Sequence, residues 1–255
     1  MIRQKAILWR QQSGPWRAYT PRLWHAVAAL AASATLCLVL PHFGLAAPPG
    51  TSQVAKPVQE YIGQLESSYR DVKTLKAEFT QTYIADGRSR LESGTVYFAR
   101  GGRMRWDYRE PEEKLFLSDG KNIILYIPAE KQLTRSAAKS SEDARVPFRL
   151  LLSRLNLRRV FGLIEFGDQA LKHQPGDQVL RALPKREDEG NFQEVFFELT
   201  PAFDIRKLVI RYPDHSSMEF TFNSIDRNIQ VNPTLFRFTP PAGTEVIDQS
   251  ASDQR

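Results

Sequence analysis

The chain has 255 residues, of which 42% are hydrophobic and 25% are charged, and its formal net charge is +6. This composition can form a sizeable core, so the chain is neither intrinsically disordered nor a small disulfide-stapled protein. The positive charge does not indicate nucleic-acid binding, because residues 1–46 hold five basic and no acidic side chains and the remainder has 30 basic against 29 acidic ones.

Residues 1–46 are typical of a secretory signal peptide. A basic stretch ends at Arg22, an uncharged apolar run follows from Ala26 to Leu40, and Gly44 and Ala46 place small residues where a signal peptidase inspects them. We expect cleavage after Ala46, and a retained membrane anchor is the alternative.

The first element expected after the leader is an amphipathic helix over residues 57–74. Pro57 suits the first turn of a helix. Apolar side chains then recur at spacings of three and four residues, which is the period of a half-buried helix. These side chains are Val58, Tyr61, Ile62, Leu65, Tyr69 and Val72.

A run of strands is expected to follow this helix. From Leu75 to Tyr83, apolar and polar residues alternate until the hairpin signal Asp86–Gly87. Further turn signals, at Gly101–Gly102 and Asp119–Gly120, divide the next part of the sequence into short segments. We predict strands there at 91–100, 103–109, 114–118, 122–127 and 131–136, arranged as an antiparallel meander.

The alternation stops at residues 143–164, which are rich in leucine and arginine and predict one or two short helices. Strand patterns resume at 166–173, 178–184, 193–200, 204–212, 216–225 and 235–238. Residues 47–255 are therefore expected to form one α+β domain dominated by a single large antiparallel sheet.

Residues 47–255 lack the motifs of the familiar enzyme classes. Their histidines, His173 and His215, are far apart in sequence, and the one cysteine of the chain, Cys37, lies in the leader. No zinc-protease motif, nucleophile elbow, phosphate-binding loop or dinucleotide fingerprint occurs. We expect no catalytic residue, no metal and no cofactor, and a hydrolase with an unrecognised site stays open as an alternative.

The apolar side chains of the sheet need a cover, which the leucine-rich helical segments can supply. Pattern alone leaves two interpretations open. One is a filled core, and the other is a curved sheet whose concave face and helices enclose a pocket for an apolar ligand in a secreted carrier.

Seven segments, in order, resemble the periplasmic lipoprotein carrier family LolA, and together they cover nearly all of residues 47–255. Two departures stand out: Gly101 and Gly102 follow Arg100 where the family usually has proline, and the tract 142–190 is longer than in the best-known members. The seven segments are Leu75–Gln81, Gly94–Arg100, Met104–Trp106, Ser118–Lys121, Tyr126–Pro128, Pro147–Leu152 and Phe236–Gly243.

The resemblance implies an α+β fold: an unclosed half β-barrel of about 11–12 antiparallel strands, with amphipathic helices at 57–74 and 143–164 as a lid over an apolar cavity. It also implies a monomeric periplasmic carrier that binds no nucleic acid. Its cargo would be acylated lipoproteins, received from an inner-membrane ABC transporter and passed to an outer-membrane acceptor lipoprotein. A lipid or glycolipid carrier, or an envelope-stress lipoprotein sensor of the same fold, is the alternative.

The resemblance assigns roles to individual residues. Arg100 would be a latch that donates hydrogen bonds to carbonyls of a lid helix, although a strand-end arginine can also simply face solvent. The expected cavity wall is Val96, Phe98, Met104, Trp106 and Leu117. Trp106, the only tryptophan of residues 47–255, could equally be an ordinary core residue. The expected lid residues are Tyr61, Leu65, Phe148, Leu150, Leu151 and Leu152.

Overall fold

The computed structural model describes residues 57–138, 157–185 and 192–249. The predicted signal peptide lies outside these residues, as do Phe148, Leu150, Leu151 and Leu152 of the predicted lid.

Two helices and twelve strands are found in the described residues. Helix α1 spans Val58–Ser68, and the single-turn helix α2 spans Leu157–Val160. Short 3₁₀ helices lie at Pro128–Glu130, Gln169–Leu171 and Pro233–Phe236. The strands are β1 (Thr74–Ala85), β2 (Arg88–Ala99), β3 (Arg103–Glu110), β4 (Lys114–Asp119), β5 (Asn122–Ile127), β6 (Gln132–Ala137), β7 (Phe161–Phe166), β8 (Gln178–Pro184), β9 (Glu194–Leu199), β10 (Ile205–Arg211), β11 (Ser217–Arg227) and β12 (Glu245–Asp248).

All twelve strands belong to one sheet, in the order β12-β6-β5-β4-β3-β2-β1-β11-β10-β9-β8-β7. Neighbouring strands are antiparallel except β12, which is parallel to β6. Because β7 and β12 are the two ends of this order, the sheet does not close on itself. The predicted large, unclosed antiparallel sheet is confirmed. A lid of several helices is not seen in the described residues, where α1 is the one helix longer than a single turn.

Both predicted lid segments differ from the structure. The first helix ends at Ser68 rather than at residue 74, since Thr74 already pairs with Ala99 in the β1–β2 ladder. Residues 161–164 are strand rather than helix, because they pair with β8 as the first part of β7. Helix propensity is a weak preference that such pairing overrides.

Three strand assignments also change. The strand predicted at 166–173 is wrong, since β7 ends at Phe166 and a 3₁₀ turn follows, where the Asp168 side chain accepts a hydrogen bond from the Ala170 amide at 2.9 Å. The strand predicted at 235–238 overlaps the 3₁₀ helix Pro233–Phe236. Strand β12 was not predicted.

The sheet buries apolar side chains on both faces. The main cluster joins α1 to the inner face of the sheet and includes Phe79, Trp106 and Phe220. A second, smaller cluster, into which Tyr126 and Phe238 also pack, consists of Leu115, Leu117, Ile124 and Leu133. Successive residues of a strand point to opposite faces, so the two clusters lie on opposite sides of the sheet.

Gly94 of β2 lies where the backbone of β3 approaches closely. A Cβ atom added there would lie 2.0 Å from the Asp107 carbonyl oxygen and 2.9 Å from the Tyr108 Cα. Backbone atoms cannot move aside cheaply, so we expect Gly94→Ala to lower the free energy of unfolding by about 3 kcal/mol. Urea unfolding measures this. The control is Gly63→Ala in α1, where nothing outside the surrounding helix backbone lies within 4 Å of the added Cβ and a gain of about 0.5–1 kcal/mol is expected. Equal stabilities of the two variants would contradict the prediction.

Candidate functional site

The candidate site is the inner face of the sheet beneath α1. Val96, Phe98, Met104 and Trp106, all predicted cavity residues, are fully buried there in the main cluster. The ladder between β2 and β3 brings them together, since Val96 lies opposite Trp106 and Phe98 lies opposite Met104. The structure thus places four of the five predicted wall residues on one surface.

The assignment of Leu117, the fifth predicted wall residue, is corrected by the structure. It belongs to the second cluster, on the other face of the sheet. Its neighbour Phe116 takes the inner position instead, opposite Trp106 in the β3–β4 ladder. The prediction was off by one residue because Leu115, Phe116 and Leu117 are all apolar and all buried, so the sequence does not reveal which of them faces inward.

Aromatic side chains surround Trp106. Its ring centroid lies 4.8 Å from that of Phe79 and 5.3 Å from that of Phe220. The ring centroids of Phe98 and Phe222 lie 5.6 Å and 6.2 Å from that of Trp106. Phe79, Phe220 and Phe222 were not among the predicted site residues. The two-residue spacing of Phe220 and Phe222 was the available signal, because it places both on one face of a strand.

Helix α1 covers this face with apolar side chains. Ile62 and Leu65 are buried in the main cluster, and Leu65 was predicted to lie there. Tyr61, also predicted, is half-buried and has its ring centroid 5.1 Å from that of Phe203 and 5.8 Å from that of Phe166. Ile62 was not among the predicted lid residues, although it shared their helical spacing.

The inner face is packed closely. A cavity within the main cluster, lined in part by Tyr69, Phe98 and Phe222, has a volume of about 10 Å³, which is close to the space that a single water molecule needs. A wider groove of about 380 Å³ lies between α1 and β7 and is lined in part by Gln59 and Phe161. Among the described residues, α1 covers this face, and displacement of α1 would expose the apolar side chains beneath it.

Arg100 follows β2 and contacts the chain just after α1. Its Nε donates a hydrogen bond to the Val72 carbonyl oxygen at 3.0 Å, and its Nη2 donates to the Arg70 carbonyl oxygen. Its backbone amide donates to the Lys73 carbonyl oxygen at 3.1 Å. Arg100 therefore holds the connection between α1 and β1, where the prediction placed its bonds on the helix itself. Its role as a latch stays a prediction.

A few further hydrogen bonds fix α1 at its sides and end. The Glu66 carboxylate accepts from the Leu157 amide at 3.0 Å, and Arg158 donates to the Gln59 side-chain oxygen at 2.6 Å. Arg227 donates to the Ser68 carbonyl oxygen at 3.3 Å. Each such bond contributes about 1 kcal/mol net, so apolar burial rather than hydrogen bonding dominates the attachment of α1.

Two tyrosines of this region have perturbed ionisation. Burial raises the pKa of Tyr69 to about 12, although the charge of the neighbouring Arg227 acts in the opposite direction. Burial, and after it the negative charge of Asp177, raises the pKa of Tyr61 to about 12. The folded protein therefore favours both neutral phenols.

We expect alkaline pH to weaken the attachment of α1 through Tyr69. A pKa that is raised on folding contributes stability below the unfolded value of about 10, and this stability is lost as the pH rises towards about 12. Urea unfolding at pH 9 and at pH 11.5 should differ by about 2 kcal/mol more in the unchanged protein than in Tyr69→Phe. Tyr126→Phe, in the second cluster, is the control. An equal loss in Tyr69→Phe would contradict this explanation.

Other chemistry is sparse in the described part of the chain. His173 Nδ1 lies 3.0 Å from a Glu198 carboxylate oxygen, and His215 occupies a turn with a φ angle of +63°. Within residues 57–138, 157–185 and 192–249, no three histidine, cysteine, aspartate or glutamate side chains come together as metal ligands. Neither of the helices described above is long and apolar enough to cross a membrane.

Comparison with known proteins identifies similar chains. The family model for outer membrane lipoprotein carrier protein LolA matches residues 70–239. The outer-membrane lipoprotein carrier protein of Nitrosospira multiformis is 30% identical over 190 residues, which are 74% of this chain and 88% of that protein. The corresponding protein of Chromobacterium violaceum is 31% identical over 208 residues, 80% of this chain and 91% of that protein. A solved structure of a LolA superfamily protein from Nitrosomonas europaea has a TM-score of 0.42 at 10% identity, covering 71% of this chain and 97% of that one.

Proposed function

This chain belongs to the outer membrane lipoprotein carrier protein LolA family, and from that premise we propose that it carries acylated lipoproteins through the periplasm. It would receive them from an inner-membrane ABC transporter and pass them to an acceptor lipoprotein in the outer membrane. The family is one of carrier proteins rather than enzymes. The structural observation that supports the proposal is the continuous apolar inner face, covered by the short helix α1.

An acyl chain fits this surface chemically, but its full burial would be too favourable for a carrier. Burying one methylene contributes about 0.8 kcal/mol, so one long chain approaches about 12 kcal/mol and three chains about 36 kcal/mol. Measured non-covalent affinities end near about 18–21 kcal/mol, and a carrier must also release its cargo. Another free-energy cost therefore has to lower the net affinity of the carrier for its cargo.

The packing of α1 against the inner face provides this cost. To admit a chain, α1 has to withdraw Ile62 and Leu65 from the inner face, and each withdrawal costs about 1.5–3 kcal/mol of lost burial. The hydrogen bonds of Arg100 to the segment after α1 add to this opening cost. The empty protein thus covers its own binding surface, and the net affinity for cargo is lowered by the cost of opening.

The carrier function can be tested on Gram-negative spheroplasts whose lipoproteins are labelled through their acyl chains. Adding the purified protein should release labelled lipoprotein into the supernatant in a complex with the added protein. The matched cargo control is the same lipoprotein with its lipid-bearing cysteine replaced by serine, which should not form the complex.

Other outcomes would point to the alternatives. If no lipoprotein is released and native mass spectrometry finds a phospholipid or glycolipid bound to the protein, the lipoprotein-carrier proposal is overturned in favour of a lipid carrier or sensor. If neither lipoprotein nor lipid binds, the inner face is a structural core.

A further inference from the structure

On strands β1 to β4, a row of polar side chains interrupts the apolar inner face, and one step beyond it Tyr83 of β1 and Met218 of β11 pack with the main cluster again. Along β1, the inward side chains are apolar from Leu75 to Phe79 and become polar at Gln81. The β1–β2 ladder places Glu92 opposite Gln81, and the β2–β3 and β3–β4 ladders place Tyr108 and Lys114 level with Gly94, one inward position before Glu92. We name the row the polar floor, and it consists of Gln81, Glu92, Tyr108 and Lys114.

The side chains of the polar floor bind one another. Gln81 donates to one oxygen of the Glu92 carboxylate at 3.1 Å, and Lys114 donates to the other at 2.6 Å. The Tyr108 hydroxyl donates to the Gln81 side-chain oxygen at 2.6 Å. Arg90, beside the row, also contacts the Glu92 carboxylate at 3.0 Å. Gln81 and Glu92 are each only 2% exposed, so these charges and hydrogen bonds lie inside the protein.

Stability alone does not account for a buried polar row at this place. Removing a charged pair from water is costly, and apolar side chains of similar volume are often as stabilising or more so. The apolar alternative is available in the neighbouring strand, where Phe220 of β11 lies opposite Gln81 and is fully buried. The polar floor therefore calls for a role other than holding the strands together.

Resting on the carrier function proposed above, we propose that the polar floor limits how far an acyl chain enters along the inner face. A chain that advanced to Gln81 and Glu92 would separate them from their hydrogen-bonding partners and leave polar groups buried without partners. Each further methylene would then add nothing to the affinity. The polar floor thereby sets the longest chain whose affinity still increases with its length.

The strand geometry gives this length. Six residues separate the row of Leu75, near Arg100, from the row of Gln81, which is about 20 Å at about 3.4 Å per residue. An extended alkyl chain advances about 1.25 Å per carbon, so about 16 carbons span this distance. We expect affinity to rise about fourfold per methylene up to about 16 carbons, and to level off beyond that length.

The test is titration calorimetry with a short serine-rich peptide that carries one N-linked saturated chain of about 10 to 20 carbons. The unchanged protein is compared with a variant that makes the polar floor apolar, combining Gln81→Leu, Glu92→Leu, Tyr108→Phe and Lys114→Met. The single change Gln81→Leu is a milder second variant that leaves the pair of Glu92 and Lys114 in place.

The matched control removes a charged pair from the opposite face of the same strands. Glu78 and Arg109 bind each other there, and both are exposed to solvent. The control variant is therefore Glu78→Gln with Arg109→Met. Its affinity should stop increasing at the same chain length as that of the unchanged protein.

The proposal predicts that the fourfold increments continue to about 20 carbons in the four-residue variant. In Gln81→Leu, the affinity should stop increasing at a longer chain than in the unchanged protein and at a shorter one than in the four-residue variant. It is overturned if the unchanged protein shows no levelling, or if the folded variants level at the same length as the control. Absence of binding for every chain length would overturn the carrier function as well, which distinguishes the two failures.

Discussion

Arg100→Leu is expected to bind acylated lipoprotein about tenfold more tightly than the unchanged protein and to deliver it about tenfold more slowly. Arg100 donates two side-chain hydrogen bonds to carbonyls just after α1, and the leucine side chain can form neither. Because Arg100 is exposed, we assign these bonds together the low end of the range for charged groups, about 1.5 kcal/mol, which corresponds to about a tenfold change. In the mechanism proposed above, the variant loses this energy in the empty, closed state and not in the loaded, open state.

This prediction needs separate measurements of loading and delivery. Loading is measured as labelled lipoprotein released from spheroplasts, and delivery as label transferred to outer-membrane vesicles that contain the acceptor. Arg109→Leu is the control, since Arg109 is an exposed arginine that binds Glu78 on the other face of the sheet. Equal delivery by Arg100→Leu and Arg109→Leu would remove Arg100 from the release mechanism.

Leu65→Ala should have the second large effect, on the apolar part of the cover. Leu65 lies on the buried side of α1, so its truncation leaves a cavity in the empty protein that costs about 2–5 kcal/mol of unfolding free energy. In the loaded state proposed above, α1 has left the inner face, so the cost there is small. The variant should therefore be less stable when empty and should bind a palmitoylated peptide at least tenfold more tightly.

Leu133→Ala is a closely matched control for this experiment. Leu133 is also fully buried, but it belongs to the second cluster on the opposite face of the sheet. Urea unfolding should show a similar loss of stability in both variants, and calorimetry should show tighter binding in Leu65→Ala alone. A gain in affinity that Leu133→Ala shares would mean that general loosening, not the packing of α1, controls binding.

The sequence predicted the inner-face residues well where a strand is polar on one side. In β3, Met104 and Trp106 alternate with charged residues, so the period of two assigns each side chain to a face. In β4 both faces are covered, because Leu117 packs into the second cluster while Phe116 packs into the main one. A strand that is buried on both sides has no alternation to read, and this is why Leu117 was assigned to the wrong face.

Helix ends and edge strands were less predictable for a related reason. Residues 161–164, which the leucine-rich pattern predicted as helix, instead pair with β8, a partner about 20 residues further along the chain. The parallel strand β12 depends on β6, which is more distant still in sequence. Local pattern cannot reveal such partners, because the hydrogen bonds that stabilise these strands form with distant residues.

By itself, the sequence determined the large antiparallel sheet, the amphipathic helix that precedes it and the family resemblance, because all three depend on local hydrophobic periodicity and on short motifs. The tertiary structure alone decided what each polar group binds. It placed the Arg100 guanidinium on the carbonyls of Arg70 and Val72, and it assembled the polar floor from four separate strands. The physical reason is that a hydrogen bond or a buried charge acts only at short range, and the ladder register that brings such groups together is a property of the whole sheet.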